Sequence, residues 1–366
     1  MIYPITQCFL LSTMDVQDSI DAWIEHGDPS EALIVDNVSN LTVLPLLPPN
    51  LKKLRINKCN NLHTLVNLPS GLERLTIFEN TSLQEISDFP PNLIHLYIFS
   101  TKIEAIKNIP LNLEILDVNY GSLVFIDKLP ESLIEFRVEN VPIQTIPELP
   151  SNLQIMSVSG TAINSLPTLP DSIEYLEICN TKIMHLEKFP ANLDEFHMRN
   201  SLLSMLPTFP RGMKCIDCFN SNLRYIPELP HGFEELYCAN MKYLTTLPFL
   251  PKTLKVLSVY NNPQLKSLPY LPHTLEELYL DNTGISILGN IPESLSVLEL
   301  TRCNNLIVKK EYADNIREYK KKMDTYFKNG SNTLSLTIKE ELLSVALSPD
   351  RMRSYFEMGV SISDVI

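Results

Sequence analysis
The residue types that could carry chemistry in this sequence are few. Cys215 and Cys218 stand in a Cys-x-x-Cys spacing, which on a tight turn holds zinc or cycles between dithiol and disulfide. His197 lies twenty residues from both Glu177 and Asp217, an acidic setting that could support a proton-linked site if that interval returns the chain to the same place. The remaining histidines, His26, His63, His95, His185, His231 and His273, share no metal-ligand spacing. With 10 glycines in 366 residues there is little material for a phosphate-binding loop. Aromatic side chains at a fixed interval form a different class of candidate, because they anchor protein interfaces.

A repeat decides which of these groups can meet. The chain holds 27 prolines, and thirteen of them, Pro48, Pro69, Pro90, Pro110, Pro130, Pro150, Pro170, Pro190, Pro210, Pro230, Pro251, Pro272 and Pro292, recur at intervals of 20 or 21 residues without a break. Numbered from each proline, position +3 is always apolar, from Leu51 to Leu295. Position +6 runs from Leu54 to Leu298, and position +8 from Ile56 to Leu300 with Cys218 and Cys238 among its members. A further apolar residue falls at +13 in the 20-residue units and at +14 in the 21-residue units. Leu33, Val35 and Leu41 sketch a degenerate first unit. Alternation predicts one short strand per unit, with +6 and +8 on one face and +5, +7 and +9 on the other. On the return side, proline lacks a donor and holds its predecessor extended, so a helix is excluded there.

The pattern LxxLxIxxxxI..LPxLP resembles a leucine-rich repeat, specifically the short LPX subtype of the YopM- and IpaH-type bacterial effectors, over residues 27–308. Where that family has Asn at +11, this chain often has Thr, Ser or Cys, as at Thr101, Thr161, Thr181, Ser201, Ser221 and Cys303, small groups able to satisfy the turn backbone. Asn gathers instead at +10, from Asn140 to Asn282, which reads as local turn chemistry. The resemblance and the alternation together predict an α/β-type solenoid, a horseshoe with short parallel strands on its concave face, an extended or polyproline-like convex side and helical caps at both ends. Residues 1–26 read as a leader and capping helix over Asp15 to His26, with Ile20, Trp23 and Ile24 on one face. Residues 309–366 read as three helices, over 309–328, 338–347 and 348–358, forming either a cap or a small docking module with Tyr312, Tyr319 and Tyr326 on one face.

The repeat disarms most of the chemistry. Positions +5 and +8 project to opposite faces, so Cys215 and Cys218 cannot readily share a metal, and Cys218 and Cys238 read as small apolar fillers. IpaH-like proteins carry a ligase domain whose catalytic cysteine sits in a Cys-x-Asp motif. Here the tail after the repeats is short, has no cysteine beyond Cys303, and the only Cys-x-Asp is Cys215-Ile216-Asp217 within a rung. The expectation is a protein without enzymatic activity and without a cofactor or metal.

Position +7 reads Arg55, Thr76, Tyr97, Asp117, Arg137, Ser157, Glu177, His197, Asp217, Tyr237, Ser258, Tyr279 and Glu299, a mixed row unlike the apolar ones. With its +5 and +9 neighbours it makes two aromatic zones, Phe78, His95, Tyr97 and Phe99 in one and Phe219, Tyr237, Tyr260 and Tyr279 in the other. Between them in sequence lie Glu135, Arg137, Glu139, Glu177, Glu195, His197, Arg199 and Asp217. Strand propensity alone could place the aromatics, but aromatic anchors beside polar rims also suit a partner-binding face. The partner-binding set is therefore Phe78, Tyr97, Phe99, Arg137, Glu177, His197, Asp217, Phe219, Tyr237, Tyr260 and Tyr279.

Composition narrows the partner. Charged residues at 20% and hydrophobic residues at 44% exclude a disordered chain and a membrane bundle. A net charge of −13 disfavours nucleic acid and anionic membrane. Seven scattered cysteines suit a reducing compartment. No apolar stretch is long enough to span a bilayer and MIYPITQCFLLSTM lacks a basic n-region, so the chain is expected to be soluble. Four glycosylation sequons, at Asn37, Asn40, Asn80 and Asn329, matter only in a secretory lumen. The resemblance implies an effector delivered by a non-classical route into a host cytoplasm, where its concave face engages a host signalling protein. The alternative is an adaptor that recruits a substrate to a ubiquitin ligase through the helical tail.

Overall fold
The structure is a computed structural model that describes residues 20–21, 23–24, 28, 30–288 and 291–306. The chain forms two compact units, Met1–Leu203 and Ser204–Ile366. In the first, the strands Ala32–Asp36, Lys53–Asn57, Arg74–Phe78, His95–Phe99, Ile115–Asn119, Glu135–Glu139, Ile155–Ser157, Tyr175–Glu177 and Glu195–His197 pair in parallel, each with the next. The second repeats the arrangement with Cys215–Asp217, Glu235–Tyr237, Val256–Ser258, Glu277–Tyr279 and Val297–Glu299. Register matches like with like: Leu54 faces Leu75, Leu75 faces Leu96, and Leu236 faces Leu257. The degenerate first unit is a full strand, with Leu33 and Val35 buried.

Each proline that sets the period also closes a turn. The amide at +3 donates to the proline carbonyl in all thirteen units, from Leu51 onto Pro48 at 3.1 Å to Leu295 onto Pro292 at 3.3 Å. The turn delivers the +3 side chain inward, where it joins +6, +8 and +13 or +14 in the core. At the other end of the strand, position +10 has a left-handed backbone in every unit, from Lys58 to Arg302. Asn tolerates that conformation better than other non-glycine residues, which explains its recurrence at Asn140, Asn180, Asn200, Asn220, Asn240, Asn261 and Asn282. Gly160 takes the place once, at φ 67°, where a Cβ would collide with the Asn140 side chain.

Position +11 then ties successive turns together. Asn80 accepts from Cys59 N and donates to the carbonyls of Ile56 and Phe78; Asn262 accepts from Met241 N and donates to those of Cys238 and Val259. Thr161 and Thr181 donate to the carbonyls three residues before them, as small polar groups at this position were expected to do. Asn80 is fully buried and its amide is committed, so its sequon cannot accept a glycan in this fold.

No described residue of the return segments is helical. At two places where the residue three before the turn proline is not proline, its amide reaches the previous unit: Ser87 N to Leu65 O at 2.9 Å and Asp127 N to Ile106 O at 3.0 Å. These bonds accompany two short strand pairs, Thr64–Leu65 with Glu85–Ile86 and Ala105–Ile106 with Phe125–Ile126. Where Pro147, Pro167, Pro207, Pro227, Pro248 or Pro269 occupies that place the donor is missing.

The helical caps need qualification. Of the expected helix over Asp15 to His26, the described residues Ile20, Asp21, Trp23 and Ile24 are helical. Ile20 and Trp23 are buried, but Ile24 is exposed, so the buried stripe is narrower than expected. The helices expected over 309–328, 338–347 and 348–358 lie outside the described residues.

Candidate binding face
Residues at +5, +7 and +9 share the sheet face opposite the core, so neighbours on that face are two apart along a strand or one strand away. In the first unit an aromatic patch comes first. Phe78 and Phe99 sit on adjacent strands with ring centroids 6.1 Å apart. His95 meets the Tyr97 ring edge-on at 6.3 Å, and Arg74 joins both, its Nη2 2.8 Å from His95 Nδ1 and its Cζ 5.8 Å from the Tyr97 centroid. Burial, then the Arg74 charge, holds the His95 imidazole below its ordinary pKa.

Further along the same unit the face is charged. Arg137 Nε donates to Glu135 at 2.5 Å, while Nη1 stands 3.8 Å from Glu139. Its Cζ is 5.4 Å from the Tyr175 ring centroid, two strands away. It spans the intervening Ser157, a residue small enough to be covered and fully buried. Tyr175 donates its hydroxyl to Glu177 at 2.8 Å, and Ser159 donates to the other oxygen at 3.0 Å. Burial and Glu177 push the Tyr175 phenol well up. His197 stacks on Tyr175 at 5.1 Å, with Nε2 3.6 Å from Glu195. Arg137, Glu177 and His197 of the expected set thus all contact Tyr175, which was outside it. Asp117 was in the mixed row but not in the predicted set. Its carboxyl is pushed up to about 7, by burial first and then by Glu139, with Arg137 opposing.

The second unit differs. Asp217 was expected on the surface but is 3% exposed, and its Oδ1 accepts from Phe219 N at 3.2 Å. Tyr237 donates to Glu235 at 3.0 Å and Tyr279 to Glu277 at 2.8 Å, each within one strand. Phe219 and Tyr260 pair at 6.1 Å, and Ser258, between Tyr237 and Tyr279 in register, is small and buried.

The two cysteines diverge as alternation requires. Cys215 Sγ lies 4.0 Å from a Glu235 carboxylate oxygen on the sheet face, whereas Cys218 Sγ is in the core against Met241 Sδ at 3.9 Å. Burial raises the thiols of Cys218 and Cys238 far up, and that of Cys179 to about 12, so these remain protonated near neutrality. Among the described residues, no three His, Cys, Asp or Glu side chains are placed to hold a metal ion together.

Solved structures share this fold. YopM from Yersinia enterocolitica WA-314 matches with TM-score 0.58 at 25% identity, over 71% of this chain and 61% of that one. YopM from Yersinia pestis, described as a leucine-rich effector protein, matches with TM-score 0.56 at 26% identity over 78% and 91%. A leucine-rich-repeat protein of Leptospira interrogans matches with TM-score 0.51 at 19% identity over 82% and 96%, a likeness of fold alone. The fold is a leucine-rich repeat, and the chain resembles YopM. This leucine-rich-repeat chain spans only 61% of the length of the Yersinia enterocolitica protein. No protein-family model and no curated protein matches it. Among the described leucine-rich-repeat residues no helix is long and apolar enough to cross a membrane.

Proposed function
We propose that this chain is a non-enzymatic scaffold that binds a protein partner on the strand face of its leucine-rich repeats. The observation that carries the reading is the contrast across one sheet: the +6 side chains are buried apolar residues in both units, while the +7 row holds half-buried tyrosines and charged groups aligned by register. Half-buried aromatics on a rigid sheet expose large contact area at low entropic cost. The likeness to YopM supports an effector that leaves its cell by a non-classical route and engages a host signalling protein in the host cytoplasm.

The test is an affinity pull-down from animal-cell and amoeba lysates with wild type, a Tyr237→Ala/Tyr279→Ala variant and a truncation after Val308. The expected result is a protein lost with the tyrosine variant and kept by the truncation. Loss with the truncation alone would move docking to the tail and favour the ubiquitin-ligase adaptor. Incubation with ubiquitin, E1 and a panel of E2 enzymes is expected to give no chains. Chains abolished by Cys215→Ala would overturn the non-enzymatic reading.

A further inference from the structure
Carboxylates outnumber cations on one stretch of the first unit's sheet face. Register places Asp117 between Tyr97 and Arg137, and Asn119 between Phe99 and Glu139. Arg137 cannot serve all its acidic neighbours: it is drawn onto Glu135 and laid over Tyr175, leaving Glu139 at 3.8 Å. One buried polar atom shows the same shortage of donors. Asn119, 7% exposed, donates Nδ2 to Asp117 at 2.6 Å, and its Oδ1 has no partner. An acceptor stripped of water and left without a donor is a standing cost that an arriving donor removes.

We propose that this face, around Asp117, Asn119 and Glu139, is a docking site for a basic side chain, lysine or arginine, of a protein partner. This rests on the reading of the strand face as a protein-binding surface and names the chemistry received there. An ammonium or guanidinium brings both the missing charge and several donors, and an acidic segment would be repelled.

The proposal carries a pH dependence. Asp117 is faced from the strand His95–Phe99 by Tyr97 and, diagonally, His95, and from Glu135–Glu139 by Glu135, Arg137 and Glu139. His95 is held neutral near pH 7, so the balance stays acidic. Since the free carboxyl titrates at about 7, a docked cation pulls its pKa down and releases a proton. Docking therefore strengthens as pH rises through 7 and levels off above it.

The test uses the full chain and two labelled decapeptides, alternating Lys-Gly and alternating Glu-Gly, with binding followed by fluorescence anisotropy at about pH 6 and pH 8.5. The lysine peptide is expected to bind about fivefold more tightly at the higher pH, and Asp117→Asn/Glu139→Gln to lose about fivefold in affinity together with most of that dependence. A control variant that removes two exposed carboxylates elsewhere, Glu148→Gln/Glu228→Gln, is expected to stay within about twofold of wild type. Equal loss in the control would reduce the effect to the general field of a chain with net charge −13, and would overturn the proposal. So would unchanged binding in the acid variant, or equal binding of the glutamate peptide. Tyrosine-dependent capture in the pull-down combined with any of these results would leave the scaffold standing and remove only this site. Capture lost with the tail alone would fail the scaffold whatever the peptides do.

Discussion
The faces of the two units use one backbone plan for different ends. In the first, side chains interlock across strands, with Arg137 passing over Ser157 to Tyr175 and His197 packing on the same ring from the next strand. In the second, Tyr237 and Tyr279 are each tied to a glutamate two residues earlier in their own strand, and Asp217 is buried on the outer face. Behind both faces the framework is the same: Asn80 and Asn262 each make three hydrogen bonds to the turn backbone, and Leu, Phe, Met or Ile fills +6. What holds a unit together is therefore separable from what it presents.

That separation can be broken most forcefully from the inside. Leu176→Asp places an unpaired charge in the stack and is expected to cost about 4 kcal/mol or more in urea unfolding. Glu177→Ala, one residue on, forfeits only two part-buried hydrogen bonds and is expected to cost about 1 kcal/mol. Equal effects at the two positions would refute the assignment of faces.

Asn80→Ala and Asn262→Ala test whether the framework is shared. Each strands buried backbone groups, and each is expected to cost about 2–3 kcal/mol, with the two values agreeing within about 1 kcal/mol. A large disparity would mean that the units are held differently.

Asp117→Asn sharpens the contrast from the charged side. The native carboxyl titrates at about 7, above the ordinary 3.8, so between those values the folded chain binds more protons than the unfolded one. Wild-type stability is accordingly expected to fall as pH rises from about 4 to 7 and to be flat above. The variant is expected to lack that component and to be more stable by roughly 2 kcal/mol at pH 8. Parallel pH profiles of the two proteins would show that Asp117 is not strained by its neighbours. Tyr279→Phe gives the smallest effect: one part-buried hydroxyl bond within a single strand is lost, and a thermal shift worth less than about 1 kcal/mol is expected.

Much of this was readable in the chain. The proline interval located the long row of parallel strands and set its register, and the clustering of Asn at +10 marked a turn, where the backbone proves to be left-handed. Two signals were present and passed over. Ser132, Ser172, Thr253, Thr274 and Ser294 recur at +2, and each donates to carbonyls of the preceding unit. The extra strand pairs of the return side all precede a non-proline residue three before the turn proline, Val66, Ser87, Lys107 or Asp127, although Glu187 in the same place has no strand before it. Asp217 was misjudged because alternation gives a direction, not a depth.

By itself the sequence determined which side chains point inward and which share the outer face, because the period of two along a strand is local and the proline closes each turn within four residues. Only the tertiary structure decided what the outer side chains do there. The Asp117 environment is made by residues about twenty positions away on either side, and burial depends on how far those neighbours reach across the sheet. Arg137 covering Ser157, and Asp117 left short of a cation, are outcomes of lateral packing that no single repeat contains.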